Sequence, residues 1–537
     1  MALAAALLAP SAWVAWRLRQ MPQLGSAADD AIYWVCAKAL AEGRGYRILS
    51  APQQPWQTKY PPLYCAYLSL AWKFNPRFPE NLPLATLLAW LWTPPFLALS
   101  YLTLVRLTGS RQAAVALTAL LAVNPHLFYF GAGFHTEIPY ACLLLASLWW
   151  LERAGAPAAG PWAAPAAGLL AGAAFLVRTH GVALLASGAL GLLLRRQARR
   201  AAAFAAAMLP ALAGWFWWAA AHKYAGRNPA LVYHTDYIRF HLDVVRPSDL
   251  PVLLWGNLGG ALIRAGRLIV PTPGETGPER IFSIIVSVLA LAGAWRLAKR
   301  AGWTQYHLYA VGHLLLLAPW PFPANARLLF PLAPLLYAGL LEECRHIWAM
   351  ARAALRSGLR AQRTAGAIWL AVLAALALIG VWRWTRPLGE HYPQLGADYQ
   401  IRRAGVEQAY RWIAEHTPPT ATLVAWQDGL LYLRTGRHAA SPGISPVPLY
   451  TSSPKEALRY YCQAAPTLAA EAARDYILVT STENLIPERT SLKAARRWLA
   501  RNPMLKEAYS SPDAALFAIT RPGRPEADRV PEPRRKE

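Results

Sequence analysis

Apolar runs close to the length that crosses a bilayer recur along the first two thirds of this chain. The hydrocarbon core is roughly 30 Å thick and a helix rises about 1.5 Å per residue, so a span needs about 20 mostly apolar residues. Runs near that length stand at 2–16, 82–105, 113–130, 138–151, 162–177, 182–194, 201–221, 281–297, 306–320, 328–341 and 365–384. They predict about eleven helical segments, some short enough to be tilted or re-entrant. Residues 64–74 offer a further half-helix. Period-two alternation is absent, which excludes a closed barrel. The composition agrees, being 55% hydrophobic and 15% charged, against about 45–50% and about 25% in soluble domains. The 24 Trp and 23 Tyr suit many membrane–water boundaries.

The formal charge is +25, and the location of the basic residues decides what it means. Arg106 with Arg111, Arg153, the group Arg195, Arg196, Arg199 and Arg200, the group Arg296, Lys299 and Arg300, and the group Arg345, Arg352, Arg356, Arg360 and Arg363 fall alternately on one side of the apolar runs. They read as cytoplasmic loops under the positive-inside rule rather than as a nucleic-acid surface. The segments holding Asp29, Glu137, Arg178, Tyr233 and Arg327 then lie outside. The first run reads as a helix, and reading it as a signal peptide also puts the next loop outside. The expectation is a multi-pass protein of the inner (plasma) membrane with its working surface extracytoplasmic.

Residues 1–386 form the expected transmembrane domain, with 17–59 as its first extracytoplasmic loop and helical patterning at 31–40. Beyond it the composition becomes that of a soluble domain. Helical and strand-like pieces alternate at 401–416, 421–426, 456–463, 476–481, 491–501 and 514–520, which predicts an α/β or α+β module over 387–521 on the outer face. The Pro-rich, charged tail 522–537 is expected to be disordered. Five cysteines are scattered singly, with no metal spacing and no disulfide framework.

Ionisable groups at membrane boundaries are costly and so mark candidate sites. Asp29 and Asp30 open a helix-like run, where they serve either as an N-cap or as a catalytic carboxylate. Lys59 precedes Tyr60, Pro61 and Pro62, which fix the backbone as the chain returns to the membrane. Its ammonium suits a lipid phosphate or ordinary snorkelling. Glu137 stands at the outer start of a helix, Arg178 interrupts a long apolar stretch, and Arg327 lies at another outer boundary. A guanidinium in either place can grip a phosphate or merely flank a helix. His135, Glu137, His180 and Asp29 are metal-type ligands without a ligand motif, so a divalent metal is disfavoured. No phosphate-cradling Gly loop and no Ser/His/Asp arrangement is present, which disfavours nucleotide hydrolysis.

In this order the features resemble the bacterial GT-C glycosyltransferases, the group of protein O-mannosyltransferases, lipid A aminoarabinose transferases and Rgt-type envelope sugar transferases. The resemblance rests on Asp29-Asp30-Ala31-Ile32-Tyr33, the 41–46 segment, Lys59 to Tyr64, Thr136-Glu137-Ile138-Pro139, Arg327 before Pro331, and the 432–437 segment. It implies a GT-C-like fold and transfer of a sugar from a polyprenyl-phosphate donor to an envelope glycolipid, polysaccharide or secreted protein. It also implies Asp29 as catalytic base with Asp30 as rival and Lys59 at the donor phosphate. The chemistry of such a transfer needs cations at the leaving phosphate, for which Lys59, Arg178 and Arg327 are the candidates, and offers Glu137 the part of orienting the acceptor or sharing base duty. Two other classes of function remain open: a transporter or flippase for a lipid-linked or soluble substrate, and a non-catalytic assembly partner acting through its C-terminal module. The expected broken, repeated halves of a transporter are not evident.

Overall fold

The computed structural model describes residues 2–25, 29–226, 229–271, 276–320, 322, 325–357, 359–384, 397–441, 452–471, 473–483 and 486–520. The tail expected at 522–537 lies outside them.

Each predicted apolar run is helical. Among the described residues, four helices are long and apolar enough to cross a membrane unaided: Leu82–Thr108, Ala198–His222, Gly277–Arg300 and Arg360–Trp382. The pair Arg111–Ala122 and Pro125–Gly131 qualifies as a fifth when taken together, bent by 60°. Asn124 and Pro125 explain the bend, since proline has no N–H to donate and the Asn124 side chain accepts from His126 N at 2.8 Å instead. Other apolar helices, such as Ala2–Arg17, Ala163–Val177 and Thr179–Leu194, are shorter.

The helices pack through small residues, as expected where lipid supplies no hydrophobic drive between them. Gly277–Ala301 lies against Ala333–Leu355 with backbones in contact. A Cβ on Gly339 would stand 2.1 Å from Ala290 O, and one on Gly293 would stand 1.8 Å from Gly339 O.

Two expectations need correction. The helices run on through basic residues read from sequence as loops: Arg296, Lys299 and Arg300 lie in Gly277–Ala301, and Arg345 and Arg352 in Ala333–Leu355. A helix need not end where the lipid does, because charged side chains past the boundary are solvated in helical form as well as in a loop. Leu250–Ile269 is a 20-residue helix that no apolar run announced, because Asn257, Arg264 and Arg267 interrupt its hydrophobicity.

One end of the bundle gathers basic groups. Glu152, near the end of Glu137–Ala154, accepts from Arg106 at 2.7 Å, Arg195 at 2.9 Å and Gln305 N at 2.6 Å. Glu137 begins the same helix, and at about 1.5 Å per residue stands roughly 22 Å away at the other end.

At that other end sits a mixed five-stranded sheet, in the order β2-β1-β3-β5-β4. Its strands are β1 (Thr422–Ala425), β2 (His438–Ala440), β3 (Tyr476–Thr480), β4 (Leu505–Ser510) and β5 (Ala514–Ile519). β1 pairs parallel with β2 and β3, while β5 is antiparallel to β3 and β4. Alternation assigns the two faces. Val424, Ile477, Val479 and Phe517 pack among Leu458, Tyr461, Leu492 and Leu499 of the helices Pro454–Glu471 and Arg489–Leu499. Leu423, Ala425, Leu478 and Leu516 belong to the large core, which takes in Val406, Tyr410 and Ile413 of Ala397–His416 and runs on into the bundle.

The loop 17–59 is clamped between sheet and bundle. Its helix Asp29–Ala41 touches the helix Asp428–Thr435 so closely that a Cβ on Gly429 would lie 3.0 Å from the Ala31 carbonyl carbon. Ala439 N donates to Ser50 O at 2.8 Å and Tyr399 OH to Pro22 O at 3.2 Å, while Gln23 Nε2 donates to Ala132 O at 2.9 Å on the bundle side.

Candidate active site

The strand of chain that returns to the bundle is fixed before it delivers Lys59. Gln57 Oε1 accepts from Lys59 N at 2.8 Å and Tyr60 N at 3.2 Å, and Gln57 O accepts from Trp218 Nε1 at 3.0 Å. Tyr46 OH donates to Tyr60 O at 2.8 Å. Pro61 and Pro62 then lead into the helix Leu63–Phe74. Lys59 Nζ sits among three aromatic rings, 3.6 Å from the centre of Tyr233, 4.5 Å from Tyr237 and 4.9 Å from Tyr60. A cation held over ring faces is favoured by their quadrupoles.

Asp29 occupies the first turn of Asp29–Ala41, where the helix dipole favours negative charge. The Tyr60 hydroxyl donates to its Oδ1, and Arg327 Nη1 stands 3.4 Å from Oδ2. Arg327 lies on the one-turn helix Ala326–Leu329, capped by Asn325, and its Nε donates to Glu137 Oε1 at 2.6 Å. Arg178 follows Ala163–Val177 in extended conformation, which turns its side chain out of the apolar run. Its Nη1 donates to the same Glu137 oxygen at 2.5 Å and to Thr136 Oγ1 at 3.0 Å. Glu137 is fully buried and bonded to both guanidinium groups.

These groups face a cavity of about 550 Å³ lined by Asp29, Tyr33, Lys59, Tyr60, Arg178, His180, Tyr233, Tyr237, Arg264, Trp320, Arg327 and Trp426 among others. Asp29, Lys59, Arg178 and Arg327 of the sequence-predicted set are therefore together. Glu137 stands behind two of them rather than on the wall. Asp30 points elsewhere: its carboxylate accepts from Gly25 N at 3.1 Å and Ala31 N at 2.8 Å. Sequence reasoning missed Tyr237, Arg264 and Trp426, and noted Tyr233 only as a loop marker. Arg264 rides on Leu250–Ile269, and Trp426 follows β1 in the C-terminal module; neither belongs to a boundary motif.

The electrostatics separate the two aspartates. Burial pushes Asp29 up, but Arg327, Lys59, the Tyr60 hydroxyl and Arg178 together outweigh it and hold the carboxyl below its ordinary range. Burial dominates at Asp30 and raises it to about 7, against two backbone hydrogen bonds that lower it. Burial also lowers Lys59 to about 8, with Asp29 and Asp428 opposing. Among the described residues, no three His, Cys, Asp or Glu side chains are gathered so as to hold a metal ion. Asp29 is hydrogen-bonded to Tyr60 and paired with Arg327, and Glu137 is bonded through Oε1 to two arginines.

The apolar bundle, the structured loop after the first helix and the capping C-terminal module together have a fold shared with solved structures of two other proteins. ArnT from Cupriavidus metallidurans bound to undecaprenyl phosphate superposes with a TM-score of 0.51 at 13% identity, over 96% of this chain and 98% of that one. An oligosaccharyltransferase of Archaeoglobus fulgidus, in complex with Zn and sulfate, superposes with a TM-score of 0.53 at 15% identity, over 96% of this chain and 73% of that one. No family model matches the sequence, and no curated protein does.

Proposed function

We propose that this protein is a membrane glycosyltransferase that moves a sugar from a polyprenyl-phosphate donor to a cell-envelope acceptor. The observation that carries the reading is one cavity holding an ionised, hydrogen-bonded Asp29 opposite Lys59, Arg327 and Arg178. The ArnT structure that shares this fold holds undecaprenyl phosphate, which supports a lipid phosphate as the anion.

In this reading the acceptor hydroxyl oxygen attacks the anomeric carbon while its proton passes to Asp29. The bond from that carbon to the donor phosphate breaks, and its electron pair stays on the phosphate. A single displacement inverts the anomeric centre. A well-placed base contributes a factor of about 10² to 10⁴. Cations aimed at the leaving phosphate stabilise the charge that develops there. Lys59 and Arg327 take this part, joined by Arg178. Glu137 is a positioning residue, holding both guanidinium groups at the cavity wall. Residues 1–386 form the membrane domain, with the shorter helices bringing the spans to about eleven. The cavity and the module over 387–521 lie on the extracytoplasmic side of the inner membrane, and the basic end around Glu152 faces the cytoplasm.

The test uses the full chain in lipid nanodiscs with undecaprenyl-phosphate sugars, the acceptor being identified by comparing envelope glycans of a deletion strain and its parent by mass spectrometry. Asp29→Asn is expected to lower turnover by about 10² or more with insertion unchanged. Near-normal turnover would overturn Asp29 as the base.

A further inference from the structure

The cage around Lys59 is not built by the membrane helices alone. Tyr233 and Tyr237, two of its three rings, come from the short helices Pro229–Thr235 and Tyr237–Val244. One hydrogen bond and one close charged approach join this stretch to its surroundings. The Thr58 hydroxyl donates to Thr235 O, just before Lys59. On the other side His234 Nε2 stands 3.5 Å from Asp428 Oδ2, with the two side chains 5% and 2% exposed.

Asp428 is held firmly enough to serve as an anchor. It opens the helix Asp428–Thr435 directly after β1, and its carboxylate accepts from Gly429 N at 2.8 Å and Ser441 N at 3.3 Å. The next residue, Gly429, packs on Ala31 beside Asp29. Two residues earlier, Trp426 lines the cavity. A buried imidazole is costly without a hydrogen bond; among the described residues the ring nitrogens of His234 make none, and the Asp428 carboxylate, 3.5 Å from Nε2, is its charged neighbour. Asp428 also places negative potential near the Lys59 ammonium.

We propose that the C-terminal module takes part in donor binding, with Asp428 a positioning residue that holds Tyr233, through His234, over the Lys59 ammonium. The inference rests on the reading that Lys59 meets the donor phosphate. Loss of the anchor lets the 229–244 stretch move and leaves the ammonium without its closest ring.

The experiment measures binding of undecaprenyl phosphate to the full chain in nanodiscs for the wild type, Asp428→Asn, Lys59→Ala and the double variant. Asp428→Asn is expected to weaken binding on the order of 5-fold, the scale of losing one partly desolvated cation–ring contact. In the Lys59→Ala background the same change is expected to cost nothing further, because coupled residues are non-additive. A merely structural role for Asp428 gives equal losses in both backgrounds, and that result, or unchanged affinity, overturns the proposal. Should Asp428→Asn not accumulate, His234→Gln carries the same cycle. A wild type with no saturable binding brings down the donor reading itself, whereas tight wild-type binding with additive losses sinks only the positioning role.

Discussion

A step of one residue along a helix turns the side chain by about 100°, and this separates Asp29 from Asp30. Sequence reading ranked Asp29 first by resemblance but had no means of knowing which carboxylate turns inward. In the structure Asp29 is on the cavity wall and Asp30 is enclosed by Gly25 and Ala31. Their titrations diverge accordingly. Asp29, held below its ordinary range, is ionised across neutral pH, whereas Lys59 loses its charge near about 8. A bell-shaped kcat/KM follows, with an acid limb below the usual carboxylate value and an alkaline limb near the Lys59 value. Lys59→Arg keeps its charge at any accessible pH, so the alkaline limb is expected to vanish in that variant. A limb that stays put assigns the titration to another group. Asp30 gives a prediction on stability. Its folded value, about 7, is raised above the ordinary 3.8, so its contribution is fully present below the unfolded value and is lost as pH rises through the folded one. Thermal midpoints of Asp30→Asn relative to wild type should therefore shift in favour of the variant from about pH 4 to about pH 7. A pH-independent difference refutes the assignment.

At the scale of elements, hydrophobic run length was an adequate guide wherever lipid alone sets the composition. It failed at Leu250–Ile269, where Arg264 faces the cavity and Asn257 donates to Ala318 O at 3.1 Å and Trp320 O at 2.6 Å. Polar residues used inside the protein lower the apolar signal that announces a span. Strand β2 was missed for a different reason, since three residues are too few to show alternation. Helix–helix contact was illegible as well, because a glycine in a run says nothing about what it approaches. The contact between Gly339 and Ala290 makes that approach testable. Gly339→Val forces apart two backbones now in contact and should destabilise the protein by at least about 1–3 kcal/mol. Gly380, with nothing near its Cβ position, supplies the control: Gly380→Val should leave the melting midpoint in detergent nearly unchanged. Equal melting of the two variants would mean that the Gly277–Ala301 and Ala333–Leu355 helices are not packed in this way.

For the molecule as a whole, the sequence divides at a change of composition near residue 386, yet the packing does not divide there. The core containing Trp34 and Ile32 of the loop helix also contains Leu430 and Leu431 of the C-terminal helix and Leu423 of β1. Composition reports which solvent a segment meets, and it is blind to which segments bury one another. Asp29 is thus carried on a helix with the bundle on one side and the C-terminal module on the other. A chain ended at residue 386 would uncover the face of Asp29–Ala41 that Gly429 now covers, and would release the Ser50 and Pro22 carbonyls bonded to Ala439 and Tyr399. The apolar bundle, with lipid still around it, should insert normally. The expected outcome is a membrane-inserted product whose 17–59 loop is cut by added protease, although the full chain resists, and which transfers no sugar. An inserted, protease-resistant product with full transferase activity would show that the module is an accessory for partner binding, and Asp29 would then owe its placement to the bundle alone.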